Sequence, residues 1–347
     1  MKKPGRTSSA PTIKDVAALA NVSTATVSHV LNNTGRAGVD AKERVTAAIS
    51  KLGYRPNGNA ASLRSRRSKI VGLVVPSITN SFFAQMASEF ETLAMEAGYE
   101  IAIVTSHESS EREHDRVLTL LSRQIDGLIV YPSSDDMLGG GLQPAMLPPT
   151  VLMDRGLGLD GFDTVGLNNE MGGLTVARYL IEQGHRKIAV LVPSLNLAAS
   201  RNRAIGTEKA LAVFGHEASL RVIVGGHSID GARSAIEQEL RREDGATAVI
   251  AITNIATLGA IKAIQALQLS MPQDVSLVGF DDFEWMTALR PYVSAMSQPT
   301  RALAAKAWEI LQSRMESHHS RGAAIKPLHV TFDGDLRIRE SSGKARL

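Results

Sequence analysis

Two groups of side chains in this 347-residue chain could do chemistry, and neither has the look of a catalytic set. The first is Thr24-Ala25-Thr26 followed by Ser28 and His29. Small side chains let a backbone sit deep in the major groove of DNA, where hydroxyls and an imidazole meet base edges. The second is charge placed beside aliphatic runs: Arg155 after TVLMD, Asp281 after SLVGF, and Arg203 within SRNRAIG. A guanidinium donates a fork of hydrogen bonds to hydroxyls or a carboxylate, and a carboxylate accepts two hydroxyls at once. Charges at the ends of aliphatic strands are costly unless partnered, which singles these out.

Motifs of the common enzymes are missing. No GxGxxG follows a strand: the GGG at 139–141 sits in a Pro-containing loop instead of opening a helix. No P-loop, HExxH or GxSxG occurs, and the one adjacent histidine pair, His318-His319, lies in a polar stretch. With no Cys in the chain, disulfides and cysteine-based metal sites or nucleophiles are excluded, and a reducing cytoplasm is the natural setting. The N-terminus MKKPGRTSSAPTIKDV carries basic residues without an apolar stretch behind them, so no secretory signal is read. No run approaches the roughly 18 apolar residues of a membrane span. A cytoplasmic protein without enzymatic activity, cofactor or metal is expected.

The elements that must position these residues fall into two grammars. Residues 12–52 read as three short helices. Thr12 with Asp15 makes a capping-box start for the first, and Ser23 caps the second. Asp40 with Glu43 opens the third, whose Val45, Ala48, Ile49 and Leu52 recur at helical spacing before Gly53 stops it. Two short helices, a tight turn and a supporting helix make a helix-turn-helix. Charge agrees: residues 1–69 hold 13 Lys+Arg against Asp15, Asp40 and Glu43, whereas the rest of the chain is net −7. A basic head on a mildly acidic body points to a polyanionic partner for the head alone.

From Ile70 the pattern becomes repeated βα units, with nine aliphatic runs from IVGLVVP to DVSLVGF alternating with amphipathic stretches. Runs that are apolar throughout suit parallel strands buried on both faces, and nine are too many for one compact sheet. Two doubly wound lobes dividing near Asn168 fit the length, with ligand expected in a cleft beyond the strands' C-terminal ends.

The stretch TIKDVAALANVSTATVSHVLNN, then YRPNGNAASLRSRRS, followed in order by NSFFAQM, DGLIV, MDR, GHRKIAVL, SRNRAIG, DVSLVGFDD and Gln298-Pro299, resembles the LacI/GalR family of bacterial transcription regulators. That resemblance implies an α/β fold: an N-terminal three-helix helix-turn-helix domain over 12–56, a hinge helix and linker over 57–69, and two doubly wound lobes of the periplasmic-binding-protein type. The lobes would comprise 70–168 plus 298–327 and 169–297 plus 328–347. A free-standing periplasmic binding protein would share the body but has no use for the basic head.

The implied function is a repressor of catabolic genes that binds palindromic double-stranded operator DNA as a homodimer, without a membrane, switched by a small carbohydrate-like effector. With no leucine heptads behind the body, a dimer is expected and not a tetramer. Implied DNA contacts are Thr12, Thr24, Ala25, Thr26, Ser28, His29, Asn32, Asn57, Leu63 and Arg64. Leu63 would wedge into a central minor-groove step, and apolar wedges kink DNA. Implied effector contacts are Phe82, Phe83, Arg155, Arg203, Asn254 and Asp281. Three places depart from the family. Thr253-Asn254 stands where many sugar-binding members have Asn-Asp, no aromatic lies near His227, and Leu197 and Ala199 replace the Arg or Thr of some purine-responsive members.

Overall fold

The computed structural model describes residues 11–31, 35, 37–54, 67–134, 143–156, 159, 161–214, 217–288, 290–319 and 326–346. The chain forms two compact units, 1–68 and 69–347.

In the head, α1 spans Ile13–Ala20, α2 Thr24–Leu31 and α3 Val39–Leu52. Asp15 reaches back to the Thr12 backbone N–H at 2.7 Å, so the expected capping box forms. Asn21 takes a left-handed conformation (φ 51°) and turns the chain from α1 into α2. Asparagine tolerates that region, which explains a tight turn without glycine. The third helix starts one residue earlier than read, at Val39 with Gly38 as its cap, because Asp40 serves in the first turn and pairs with Arg44 at 3.4 Å. Val16, Ala17, Ala20, Val27, Val45 and Ala48 form the head's small core.

The body contains two parallel sheets with matching strand order. Their strands are β1 Ile70–Val75, β2 Glu100–Thr105, β3 Gly127–Val130, β4 Thr150–Met153 and β5 Asp163–Leu167, then β6 Lys187–Val192, β7 Ser219–Val224, β8 Ala248–Ala251 and β9 Ser276–Phe280. Three more, β10 Ser294–Ser297, β11 His329–Phe332 and β12 Asp335–Arg337, lie outside the nine aliphatic runs. The first sheet runs β11-β5-β4-β3-β1-β2 and the second β12-β10-β9-β8-β6-β7, with only β12 antiparallel among the described pairs. Interior strands are buried almost throughout, as their unbroken apolar runs demand. EIAIVT and LRVIV are instead edge strands, β2 and β7, half-exposed along their length.

Helices cover both faces. On the first sheet, α4 (Ser81–Glu96) and α10 (Thr300–His319) pack on one face and α5 (Ser110–Leu121) on the other. On the second, α6 (Asn169–Glu182) and α7 (Ala198–Phe214) lie opposite α8 (Ile229–Leu240) and α9 (Asn254–Ala266).

The chain passes between sheets three times: after β5, after β10 and after β11. The last passage differs from the expected division, which assigns 328 onward to the second lobe. His329–Phe332 instead pairs with β5, and the chain crosses only at Asp333-Gly334, because strand pairing at the open edge of β5 satisfies backbone groups that would otherwise lie unpaired. Register brings the passages together: Leu167 pairs with Phe332, Ser297 with Asp335, and Asn168 Nδ2 donates to Asp333 Oδ1 at 3.0 Å.

Candidate functional site

In the head, Ser23 Oγ accepts from the Thr26 backbone N–H at 3.1 Å and lies 2.9 Å from the Thr26 hydroxyl. This cap starts α2 so that Val27 alone is buried in the core, while Thr24 and Ala25 are exposed and Thr26, Ser28 and His29 partly so. The five implied base-reading residues therefore share the accessible part of one short helix. The Thr26 hydroxyl is partly committed to its cap. Thr12 is exposed at the start of α1. Asn32, Asn57, Leu63 and Arg64 lie outside the described residues.

In the body, strand order 2-1-3-4-5 in each sheet puts a topological switch point between β1 and β3, and between β6 and β8, where crevices open beyond the strand ends. Asn80, Phe82, Phe83, Asp154 and Arg155 from the first lobe meet Pro193, Leu197, Ala199, Ser200, Arg203, Thr253, Asp281 and Gln298 around one cleft. Of the six implied effector residues, five line it directly; Asn254 lies immediately behind, with its backbone N–H on the Asp281 carboxylate.

Arg203 is the centre of the second lobe's side. Its Nε donates to Asn169 Oδ1 at 2.7 Å and its Nη1 to the Ile252 carbonyl at 2.5 Å. Nη2 lies 3.7 Å from Asp154 across the cleft, and the guanidinium sits 4.5 Å over the Phe280 ring. Two glycines make this position possible. A Cβ on Gly173 would stand 2.0 Å from the Arg203 carbonyl oxygen, and one on Gly206 would stand 1.9 Å from that of Glu170. The α6 and α7 backbones thus touch, and Arg203 is held against Asn169. Gly206→Ala is expected to force them apart, costing about 1–3 kcal/mol in denaturant unfolding as overpacking does. A variant as stable as the parent would show that the helices tolerate the separation.

Asp281 follows β9 with a left-handed backbone (φ 67°) and is buried. Burial pushes its carboxyl up to about 6, against the opposing pull of Arg203 and the Gln298 amide, whose Nε2 donates to Oδ1 at 2.5 Å. Arg155 is 8% exposed and is not free: its fork grips Glu108 at 2.5 and 3.0 Å, with the Phe83 ring 5.4 Å below. Phe82 and Phe83 are both buried and meet each other and Tyr131 edge to face, so they serve the core as well as the cleft wall. Trp285 packs against the Met286, Val293 and Ala295 cluster beneath its loop, away from the cleft lining.

Among the described residues, the buried side-chain atoms lacking a hydrogen-bond partner are Tyr131 Oη, Asp154 Oδ1, Asn169 Nδ2, Asn254 Oδ1 and Gln298 Oε1. Asp154 and Gln298 line the cleft, Tyr131 and Asn169 touch lining side chains, and Asn254 follows the lining residue Thr253. Orphaned buried polar atoms are rare, and their clustering around this cleft makes it the candidate binding site of the body. Tyr131, Asp154, Asn169, Gln298, Glu108 and His227 are functional candidates that the sequence reading passed over. The rule that selected Arg155 and Asp281, a polar group at the end of an aliphatic run, applies equally to Asp154 in LMDR and Tyr131 in LIVYP.

Residues 12–57 match the family model described as bacterial regulatory proteins, lacI family, and 177–342 match the periplasmic binding protein-like domain. The HTH-type transcriptional repressor PurR of Aliivibrio salmonicida is 33% identical, with 89% of this chain and 94% of that protein covered. The ribose operon repressor of Haemophilus influenzae is 32% identical over 88% and 92%. A transcriptional regulator CelR–cellobiose complex superposes with a TM-score of 0.69 at 29% identity, covering 95% of this chain and 99% of that one. The lac repressor dimer bound to operator and the anti-inducer ONPF shares the fold, with a TM-score of 0.82 at 24% identity over 96% and 99%.

Proposed function

From the premise that this chain belongs to the LacI family of bacterial regulatory proteins, we propose that its cleft senses a small neutral polyhydroxylated molecule. The head is the DNA-binding part of a transcription regulator that acts on operator DNA as a homodimer, and the body is its effector-binding part. Thr24, Ala25, Thr26, Ser28 and His29 are proposed to read base edges.

The five orphaned atoms carry the effector assignment. Hydrogen bonds already made define their polarity. Asn169 Oδ1 accepts from Arg203, so Nδ2 is a waiting donor; Gln298 Nε2 donates to Asp281, so Oε1 is a waiting acceptor. Burial, then the Asp154 carboxylate, push the Tyr131 phenol well above its usual range, so it keeps its proton. With Asp154 Oδ1 and Asn254 Oδ1 the site wants mainly donors, and hydroxyl groups supply them. Charge points the same way: Arg155 and Arg203 face Glu108, Asp154 and Asp281, leaving no net positive field for a phosphate or carboxylate. Leu197 and Ala199 give the opposite wall an apolar surface. A ribose operon repressor and a cellobiose complex among the relatives agree with this class.

A thermal-shift screen over pentoses, hexoses, polyols, sugar phosphates, sugar acids and nucleobases tests the reading. A ligand at 100 times its Kd adds about 2.7 kcal/mol and should raise the midpoint by a few degrees. The expected hit is a neutral sugar or polyol. A shift produced only by phosphorylated or acidic members, or by nucleobases, would overturn the proposed class.

A further inference from the structure

Glu108 belongs to neither group of residues that sequence patterns single out, yet it touches both lobes. It follows β2 in a turn where His107 and Glu108 are both left-handed (φ 52° and 57°), a costly backbone for side-chain-bearing residues. Its carboxylate accepts both arms of the Arg155 fork, and its Oε1 lies 3.4 Å from Nδ1 of His227, which follows β7 on the other sheet. Arg155 and Glu108 are 9% and 20% exposed at their side chains, so the pair is largely withdrawn from water. Burial by itself would raise the Glu108 carboxyl, but His227 and Arg155 hold it down to about 2. At neutral pH it is therefore an anion.

A bidentate guanidinium fork at a cleft wall is a ready receptor for a ligand carboxylate or phosphate. Here that receptor is already filled from within. We propose that Glu108 is a built-in counter-anion that occupies the Arg155 fork, shuts out acidic and phosphorylated effectors, and makes position 108 the charge selector of the cleft. This rests on the reading of the cleft as the effector site, but its test needs no sugar. Removing the carboxylate strands a buried guanidinium beside a gap the size of a carboxymethyl group, and a small carboxylate supplied from solution should enter it.

The experiment is chemical rescue of Glu108→Ala in the full-length protein, followed by thermal unfolding. The probe is sodium acetate, with sodium chloride at equal ionic strength and acetamide as controls. Acetate should stabilise Glu108→Ala with an affinity at least tenfold above any response of the parent protein. Acetamide, of the same shape without charge, should not. The double variant Glu108→Ala/Arg155→Met should lose the response. Glu108→Gln, which keeps shape and volume, guards against failure to fold: it leaves no gap for acetate and should not respond to it. It should melt below the parent at neutral pH because the neutral amide holds the Arg155 fork less tightly, and a variant as stable as the parent would overturn the charge pairing. An acetate response equal to that of the parent, an equal response to acetamide, or persistence without Arg155 would each overturn the proposal. A sugar screen without hits would count against the effector class alone and would leave the acetate result to be read by itself.

Discussion

Asp281→Asn is expected to make the protein more stable at pH 7.5 and to weaken its grip on effector. The carboxyl is buried and lifted to about 6, with burial as the largest cause. Its folded value therefore stands above that of the unfolded chain, near 3.9. With that sign the native state is favoured below pH 4, loses ground as pH rises towards 6, and bears the full deficit above. For a displacement of about two units the deficit is about 3 kcal/mol. Asparagine carries no charge to desolvate, keeps an acceptor for Gln298, and tolerates the left-handed backbone. The variant should gain about 1–2 kcal/mol at pH 7.5 and run nearly level with the parent at pH 4, measured by denaturant melts at both. On the proposed reading, in which Asp281 accepts from effector hydroxyls, such charge-assisted hydrogen bonds are worth roughly 1.5–3 kcal/mol. Effector affinity should thus fall about 10- to 100-fold. If the variant is the less stable at pH 7.5, attraction to Arg203 outweighs burial.

Arg203→Met is expected to do the opposite to stability, and by more. It deletes the bonds to Asn169 and Ile252 and leaves Asp154 and Asp281 facing each other without a buried cation between them. Breaking a buried pair from one side costs about 3–5 kcal/mol, since the surviving charge is left uncompensated. Unfolding should move down by on the order of 10 °C. Adding Asp281→Asn to Arg203→Met should restore part of the loss, because the groups share one network and their effects do not add. A single variant that melts with the parent would show that water reaches the carboxylates.

Much of the body was legible because buried parallel strands must be apolar on both faces, which makes runs such as IVGLVV and KIAVLV stand out. The strands that escaped, SAMS, HVTF and DLR, are short and small or partly polar, and they take their conformation from the edges they complete. Arg155 and Asp281 were visible for the same reason as the strands: charge is conspicuous after an apolar run. Their partners were not. Glu108 and His227 are 119 residues apart and meet only because β2 and β7 end at facing edges of the cleft. Asn169 and Arg203 meet through Gly173 and Gly206, and no local pattern distinguishes a glycine that permits helix contact from one that merely sits in a helix.

The three passages between the sheets, gathered along paired strand ends, bear on how much the protein can report. Two plates joined by three stitches along one seam cannot slide or twist freely past each other; they can fold about that seam. On the proposed reading, a molecule bound between them would act by setting one angle. Such a device would count occupancy and not distinguish ligands, so discrimination would fall to the side chains that admit or refuse an occupant. Two molecules that pass that inspection and close the seam equally would be indistinguishable to the DNA.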